Sequence, residues 1–331
     1  MKLASLKTDH PDGKLVIVSQ DQSRFVDASD IAPTMQFALD NWASCNGALQ
    51  ARYQQLNAGA CDTSAPFHGQ VTYAPLPRSW QWLDGSLFLN HGHLMQQAFH
   101  LPPIEDADIY PLVYQGAGDS FLGAKDDIVV ADLKHGIDFE GEFGVIVDAI
   151  PMGSSAEYCL SKIRLIVLLN DISYRALGPR EMKTGFGFVQ AKGATAFAPV
   201  AITPDELGQH WQNGRVCLPL QVKRNSELFG QPDGSEMHFG FHELIAHVAK
   251  TRPIKAGTVF GSGTVSNADP AKGQACISEL RAKEMIQHGA PKTAFMQQDE
   301  VVSFNAIDAN GNSVFGSIEQ RVTVSPSSES L

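Results

Sequence analysis

The sequence predicts a β-rich α+β protein: a mixed β-roll or β-sandwich preceded by a small N-terminal α+β unit. Three observations carry this. Beyond about residue 70 the chain breaks into short apolar or alternating segments separated by glycine-rich turns, the pattern of antiparallel strands. Between Ile31 and about Ala58 the apolar residues instead recur every three or four positions, as on an amphipathic helix. No long βαβ alternation and no fixed-period repeat occurs, which argues against a doubly wound sheet.

Taken in order, "KLVIVSQDQSRFVDAS" predicts a hairpin with Gln20-Asp21-Gln22-Ser23 as its turn. The helical stretch follows, with Met35, Ala38, Leu39, Trp42, Leu49, Tyr53 and Leu56 on its apolar face and Pro33 in its first turn. "NAGACDTSAPFHG" is a loop. Strands are expected at "DIVVADL", "EFGVIVDAI", "IRLIVLLND", "FAPVAI", "CLPLQVKRN", "VVSFNAID" and "VFGSIEQRVTV". Helices are expected near 155–162 and 240–250, the second with Phe241, Leu244, Ile245 and Val248 on one face. "DANGN" at 308–312 is a hairpin signal. The division is residues 1–72 as the small N-terminal unit, 73–326 as the larger β-rich unit and 327–331 as a disordered polar tail.

The chain has 331 residues, 43% of them hydrophobic, enough for a substantial core. A net charge of −11 and a pI near 5.4 argue against nucleic acid or an anionic membrane as the main partner. No apolar run long enough to cross a membrane occurs, and the N-terminus lacks the apolar core of a signal peptide. Five dispersed cysteines without a CxxC pair fit reduced thiols in a cytoplasmic protein rather than disulfides or a zinc cage.

The chemistry is concentrated in "GIDFEGEFGVIVDA" at 136–149. Glu140 and Glu142 share one face of a strand, as residues i and i+2 do. Phe139, Phe143, Val145 and Val147 share the other. One reading is an amphipathic strand with its charged face in water, although Gly144 and Ile146 interrupt that face. The other is a divalent metal, because like charges this close repel unless a cation lies between them, and hard cations (Mg²⁺, Mn²⁺, Ca²⁺) take oxygen ligands. Asp171 closes the apolar run "IRLIVLLND" and is either a turn residue or a further ligand. Asp84, in "WQWLDGSLFLNHGH", is either the Asp of an Asp-Gly turn or another ligand. His91, seven residues later, is either structural or catalytic, and with His93 it also forms an i,i+2 pair.

In combination these segments resemble the fumarylacetoacetate hydrolase family, from about Tyr73 to Val324. "APLPRSWQWLDGSLFLNH", "LVYQGAGDSFLG", "DFEGEFGVIV", "LLNDISYR", "AKGATAFAPV" and "GSGTVSN…CISEL" fall in the family's order, with ExE followed by NDxSxR as the specific core. The resemblance implies the family's catalytic fold and four metal ligands: Asp84, Glu140, Glu142 and Asp171. It implies one divalent cation, Mg²⁺ first, with Mn²⁺ or Ca²⁺ as alternatives. His91 matches the general-base histidine, Glu279 its orienting glutamate, and Lys192 the lysine that stabilises developing negative charge. Tyr114, Arg175 and Thr264 match substrate-lining positions. From the residues alone, Lys192 would be an exposed lysine, Glu279 part of a surface helix with Arg281 and Lys283, and Arg175 and Tyr114 packing or rim residues. The segment "ALGPREMKTGFGF" departs from the animal enzyme and lacks a tyrosine expected there.

The activity implied is metal-dependent hydrolysis of a carbon–carbon bond in a β-diketo acid such as fumarylacetoacetate or an acylpyruvate, as in aromatic amino-acid catabolism, by a homodimer. Decarboxylation, isomerisation or hydration of a 2-keto acid on the same site is the alternative, and a non-catalytic metal-stabilised scaffold a further one.

Overall fold

The structure, a computed structural model, describes residues 1–325, so the expected disordered tail lies outside the described residues. Among the described residues the helices are α1 (Met35–Asp40), α2 (Trp42–Asn57), α3 (Leu89–Phe99), α4 (Ala156–Leu160), α5 (Gly178–Thr184), α6 (Phe241–Ala249) and α7 (Ile277–His288). The strands form an eleven-stranded sheet, a five-stranded sheet and two two-stranded ribbons. Pairing is mainly antiparallel, with parallel contacts between Val259–Gly261 and Trp82–Ser86 and between Ile318–Val324 and Ile128–Val130. This is the β-rich α+β architecture expected.

The first hairpin forms where predicted, Lys14–Val18 against Arg24–Asp27, with Gln22 in the left-handed region of its turn. The single helix expected over 31–58 is two. Asn41, at φ −121° and ψ 30°, breaks it, and Thr34 caps α1, so Pro33 lies before the helix rather than in its first turn. The apolar residues picked out by period are all buried. The "DANGN" turn closes through the Asp308 N–H and the Asn312 carbonyl, within the link joining Val301–Ala306 to its antiparallel partner Ile318–Val324.

The large sheet is covered on both faces. Strand Gly141–Val147 pairs with Ile163–Asn170 on one side and Val259–Gly261 on the other, and Trp82–Ser86 and Leu112–Gly116 follow. Phe143, Val145 and Val147 point into one core, together with Phe260 and Ile166. Ile146, Leu165, Val167, Leu169, Trp82 and Val259 point into the second, against Met35, Leu39, Leu49 and Tyr53 of α1 and α2. The N-terminal strands are not separate from this sheet, because Lys2–Leu6 pairs with Ala201–Ile202.

Candidate active site

The ExE strand ends at the rim of the second core. Glu142 lies beside Leu169 on the neighbouring strand, and Asp84 lies across Gly261 and Gly144. Two glycines in that row leave the space the carboxylates occupy: a Cβ on Gly261 would overlap Asp84 Oδ1 and the Trp82 ring. Gly263, at φ +72°, turns the chain so that its N–H donates to Asp84 Oδ1 at 3.1 Å. Asp171 follows the last residue of strand Ile163–Asn170 and is tied back by its N–H to the Glu140 carbonyl at 3.0 Å.

Oxygen atoms of Asp84, Glu142 and Asp171 all lie within 4.8 Å of one another, and all three residues are buried. The water-facing reading of the ExE pair therefore fails. Glu140 and Glu142 are 5% and 0% exposed, and α1 and α2 cover the same face further along the strand. Asp148, on the same face, is paired with Arg164 instead.

The carboxylates differ in their partners. Among the described residues no hydroxyl, N–H or cation donates to either Glu142 oxygen, and the Asp84 carboxyl is a partner only when one of the two acids carries a proton. Burial pushes its carboxyl well up, and the charges of Asp84 and Asp171 add to the effect. Burial, then the Asp171 charge, raises Asp84 in the same way. Asp171 accepts from Tyr114 Oη at 2.6 Å, Lys192 Nζ at 2.6 Å and Thr195 Oγ1 at 3.0 Å.

Glu140, expected as a fourth ligand, turns elsewhere. Its Oε1 accepts from Ser173 Oγ at 2.6 Å and Lys192 Nζ at 2.7 Å and pairs with Arg175 Nη2 at 2.8 Å, while Oε2 accepts from Thr264 Oγ1 at 2.5 Å. Burial opposes ionisation there, but the charges of Arg175 and Lys192 more than offset it and hold the carboxyl well below its ordinary range. The structure thus brings three of the four expected ligand carboxylates together, with Glu140 beside them and already satisfied.

Lys192 is not the exposed lysine of the bare reading. It bridges Glu140 and Asp171, and although burial disfavours its charge, those two carboxylates hold it ionised. Arg175 and Thr264, expected to line a substrate pocket, are occupied by Glu140, and Arg175 also donates from Nε to Asp138 at 2.8 Å. Tyr114 stands over the triad, its ring edge-on to Phe188. His91 lies in the first turn of α3, which follows directly from the strand bearing Asp84. Its Nδ1 is 2.9 Å from Glu279 Oε1 on α7, which packs against α3. Glu279 is on a helix as the surface reading had it, but is 1% exposed.

Three residues that shape the site were not anticipated for it: Ser173, Thr195 and Asp138. Ser173 belongs to the quoted "NDISYR", and Asp138 shares the charged face of the strand with Glu140, Glu142 and Asp148, where position alone gives it no role distinct from theirs. A cavity of about 1270 Å³ lies elsewhere, between the 19–24 turn and residues 205–210 and 308–314.

The donor set fits a cation. It is all oxygen, buried and acidic, and one carboxylate has no outside donor, an arrangement costly to ionise that a hard divalent ion relieves.

A β-rich sheet assembly with a buried carboxylate triad, and a His–Glu pair whose histidine acts on the adjoining Glu140, defines the class, and comparison places the chain within it. The model of the fumarylacetoacetase N-terminal domain 2 matches residues 1–78, and that of the fumarylacetoacetate (FAA) hydrolase C-terminal matches 82–323. The chain belongs to the fumarylacetoacetate hydrolase family. A 2,4-didehydro-3-deoxy-L-rhamnonate hydrolase from Sphingomonas sp. (strain SKA58) is 27% identical over 210 residues, 62% of this chain and 69% of that protein. Oxaloacetate tautomerase YisK of Bacillus subtilis (strain 168) is 25% identical over 165 residues, 49% of this chain and 52% of that protein. In fold, the chain is similar to a fumarylacetoacetate hydrolase from Exiguobacterium antarcticum, with a TM-score of 0.69 at 15% identity, covering 98% of this chain and 100% of that one. It is also similar to a maleylpyruvate hydrolase from Sphingobium sp. SYK-6 solved with manganese(II) and pyruvate, with a TM-score of 0.66 at 14% identity over 98% and 100% of the two chains.

Proposed function

We propose that the protein is a divalent-metal-dependent hydrolase that cleaves a carbon–carbon bond in a β-diketo acid of the fumarylacetoacetate or acylpyruvate type. The observation that carries this is the buried Asp84–Glu142–Asp171 cluster with no outside donor on Glu142, together with the 2.9 Å His91–Glu279 pair, whose imidazole acts on the neighbouring Glu140. Those three carboxylates would hold the ion, with Glu140 the fourth ligand candidate once its ring of donors shifts. Mg²⁺ is the first candidate, and Mn²⁺, the ion bound in the Sphingobium hydrolase, the second. When bound, such a cation supplies Lewis acidity to the substrate's keto oxygens.

The remaining steps belong to the side chains. Glu279 accepts the Nδ1–H bond of His91 and so fixes the tautomer with Nε2 free. His91 Nε2 takes a proton from water, and the hydroxide oxygen bonds to a substrate carbonyl carbon. The tetrahedral intermediate collapses by breaking the adjacent carbon–carbon bond. The electron pair leaves as an enolate, and protonation of that enolate completes the ketone. Lys192, held charged by Glu140 and Asp171, supplies fixed positive charge beside the developing anion. Tyr114, Arg175 and Thr264 complete the substrate side, Arg175 and Thr264 by holding Glu140.

Tautomerisation on the same carboxylates is the second reading, favoured by the likeness to the Bacillus tautomerase. It needs a proton-transferring base but no attack by water, so the His91–Glu279 pair would serve either reaction and argues only against simple decarboxylation; release of two products from the diketone marks hydrolysis. The test follows loss of diketone absorbance from acetylpyruvate and fumarylacetoacetate with Mg²⁺ or Mn²⁺. His91→Ala should lower kcat by about 10²–10⁴-fold while Mn²⁺ affinity stays within about twofold. Full activity of His91→Ala would remove the dyad from the mechanism, and silence on every diketone alongside tight metal binding would favour the scaffold.

A further inference from the structure

Asp138 is fully buried, and its carboxylate is shared between two parts of the site. Oδ1 accepts from the Phe139 N–H and the Ile277 N–H, each at 2.8 Å. Oδ2 accepts from the Ser278 N–H at 3.0 Å and from Arg175 Nε at 2.8 Å. Ile277 and Ser278 are the first two residues of α7, where peptide N–H groups have no partner within the helix and the helix dipole favours a negative charge. The N-cap itself is Cys276, whose sulfur is a weak acceptor 3.4 Å from the Glu279 N–H. The chain just before α7 is joined to the ExE strand by the Gly141 N–H, which donates to the Ala275 carbonyl at 2.9 Å, and the side-chain tether of the helix end itself is Asp138, a residue from the ExE segment.

Glu279, in the same first turn, meets His91 Nδ1 at 2.9 Å. On the other side, Arg175 carries the link from Asp138 to Glu140 Oε1 at 2.8 Å. We infer that Asp138 is a positioning residue. It sets the start of α7 against the carboxylate strand so that Glu279 holds His91. The inference rests on the dyad reading above. It assigns Asp138 no contact with substrate; it acts through Glu279.

Asp138→Asn keeps the shape but replaces one acceptor oxygen with a donor that faces N–H groups. With acetylpyruvate and Mg²⁺, the expected result is a fall in kcat of about tenfold or more. KM and Mn²⁺ affinity should stay within about twofold, a split that general loosening of the fold would not produce. The double variant Asp138→Asn/Glu279→Gln should be no slower than Glu279→Gln alone, because both act on the same histidine. Wild-type kcat in Asp138→Asn, or losses that multiply in the double variant, overturns the inference while leaving the dyad reading standing. Full activity in Glu279→Gln overturns both. Hydrogen exchange on the wild-type protein gives a check independent of any variant's folding. The amides of Ile277 and Ser278 should be protected like the interior of α7, and exchange at the rate of free first-turn amides overturns the tether.

Discussion

Glu142 is the residue on which the site turns. A buried carboxylate with no donor is unfavourable when charged, which is why burial and its acidic neighbours raise it. The sign of the stability effect follows. The unfolded chain loses this proton at the ordinary carboxylate value, whereas the folded metal-free protein keeps it to higher pH. Stability therefore falls by about 1.4 kcal/mol per pH unit across that interval. Glu140 behaves oppositely: its depressed carboxyl contributes stability that is present above the ordinary value and lost as pH falls through the depressed one. Glu142→Gln should therefore raise the thermal midpoint of the EDTA-treated protein at neutral pH, and the gain should vanish below the ordinary carboxylate range. The same variant should lose most of the stabilisation that Mg²⁺ gives the wild type. A lower midpoint for Glu142→Gln at neutral pH, measured by calorimetry with EDTA, would contradict an uncompensated carboxylate at this position.

Among the elements, the short strand Val259–Gly261 does more than its length suggests. It joins the ExE strand to the strand of Asp84, and its last residue is bare, so that Asp84 can lie across it. Gly261→Ala should leave the fold in place at a cost of about 1–3 kcal/mol from overpacking against Trp82. It should also weaken Mn²⁺ binding by at least about tenfold by displacing Asp84. Unchanged affinity in a titration monitored by Mn²⁺ paramagnetic resonance would show that Asp84 is not held there. The helices explain why part of the site is hard to see in a linear pattern. The buried positions of α7 are Ile277, Glu279 and Ala282, so a charged residue stands where an apolar one would mark the face. In α3 Ala98 is the buried residue, and no apolar stripe marks the helix either.

At the scale of the whole molecule, the first 72 residues close the back of the catalytic sheet. Their strand Lys2–Leu6 extends it, and α1 and α2 bury Ile146, Leu165, Val167, Leu169 and Val259 on the face whose end carries the triad. A chain beginning at residue 73 would expose that apolar face and an unpaired strand edge. It should aggregate or lose its near-ultraviolet circular dichroism, and adding residues 1–72 as a separate chain should restore solubility. A soluble, metal-binding 73–325 fragment would show instead that the catalytic sheet stands without its cover. The same burial on both faces makes the ExE pair a site rather than a solvated stripe.

Local pattern alone was enough for the strand-rich class, the first hairpin and the apolar residues of α1 and α2, because these depend on spacing and residue type over a few neighbours; the carboxylate, histidine and lysine positions were picked out by the resemblance to the family, not by pattern. It could not separate Glu140 from Glu142, which look equivalent two residues apart. Nor could it show that Arg175 and Thr264 attend Glu140, or that Asp138 ties α7 to the strand. Those distinctions were decided by the tertiary structure, because whether a buried carboxylate is charged, neutral or ready for a cation depends on donors brought from distant parts of the chain, and only folding brings them within hydrogen-bonding distance.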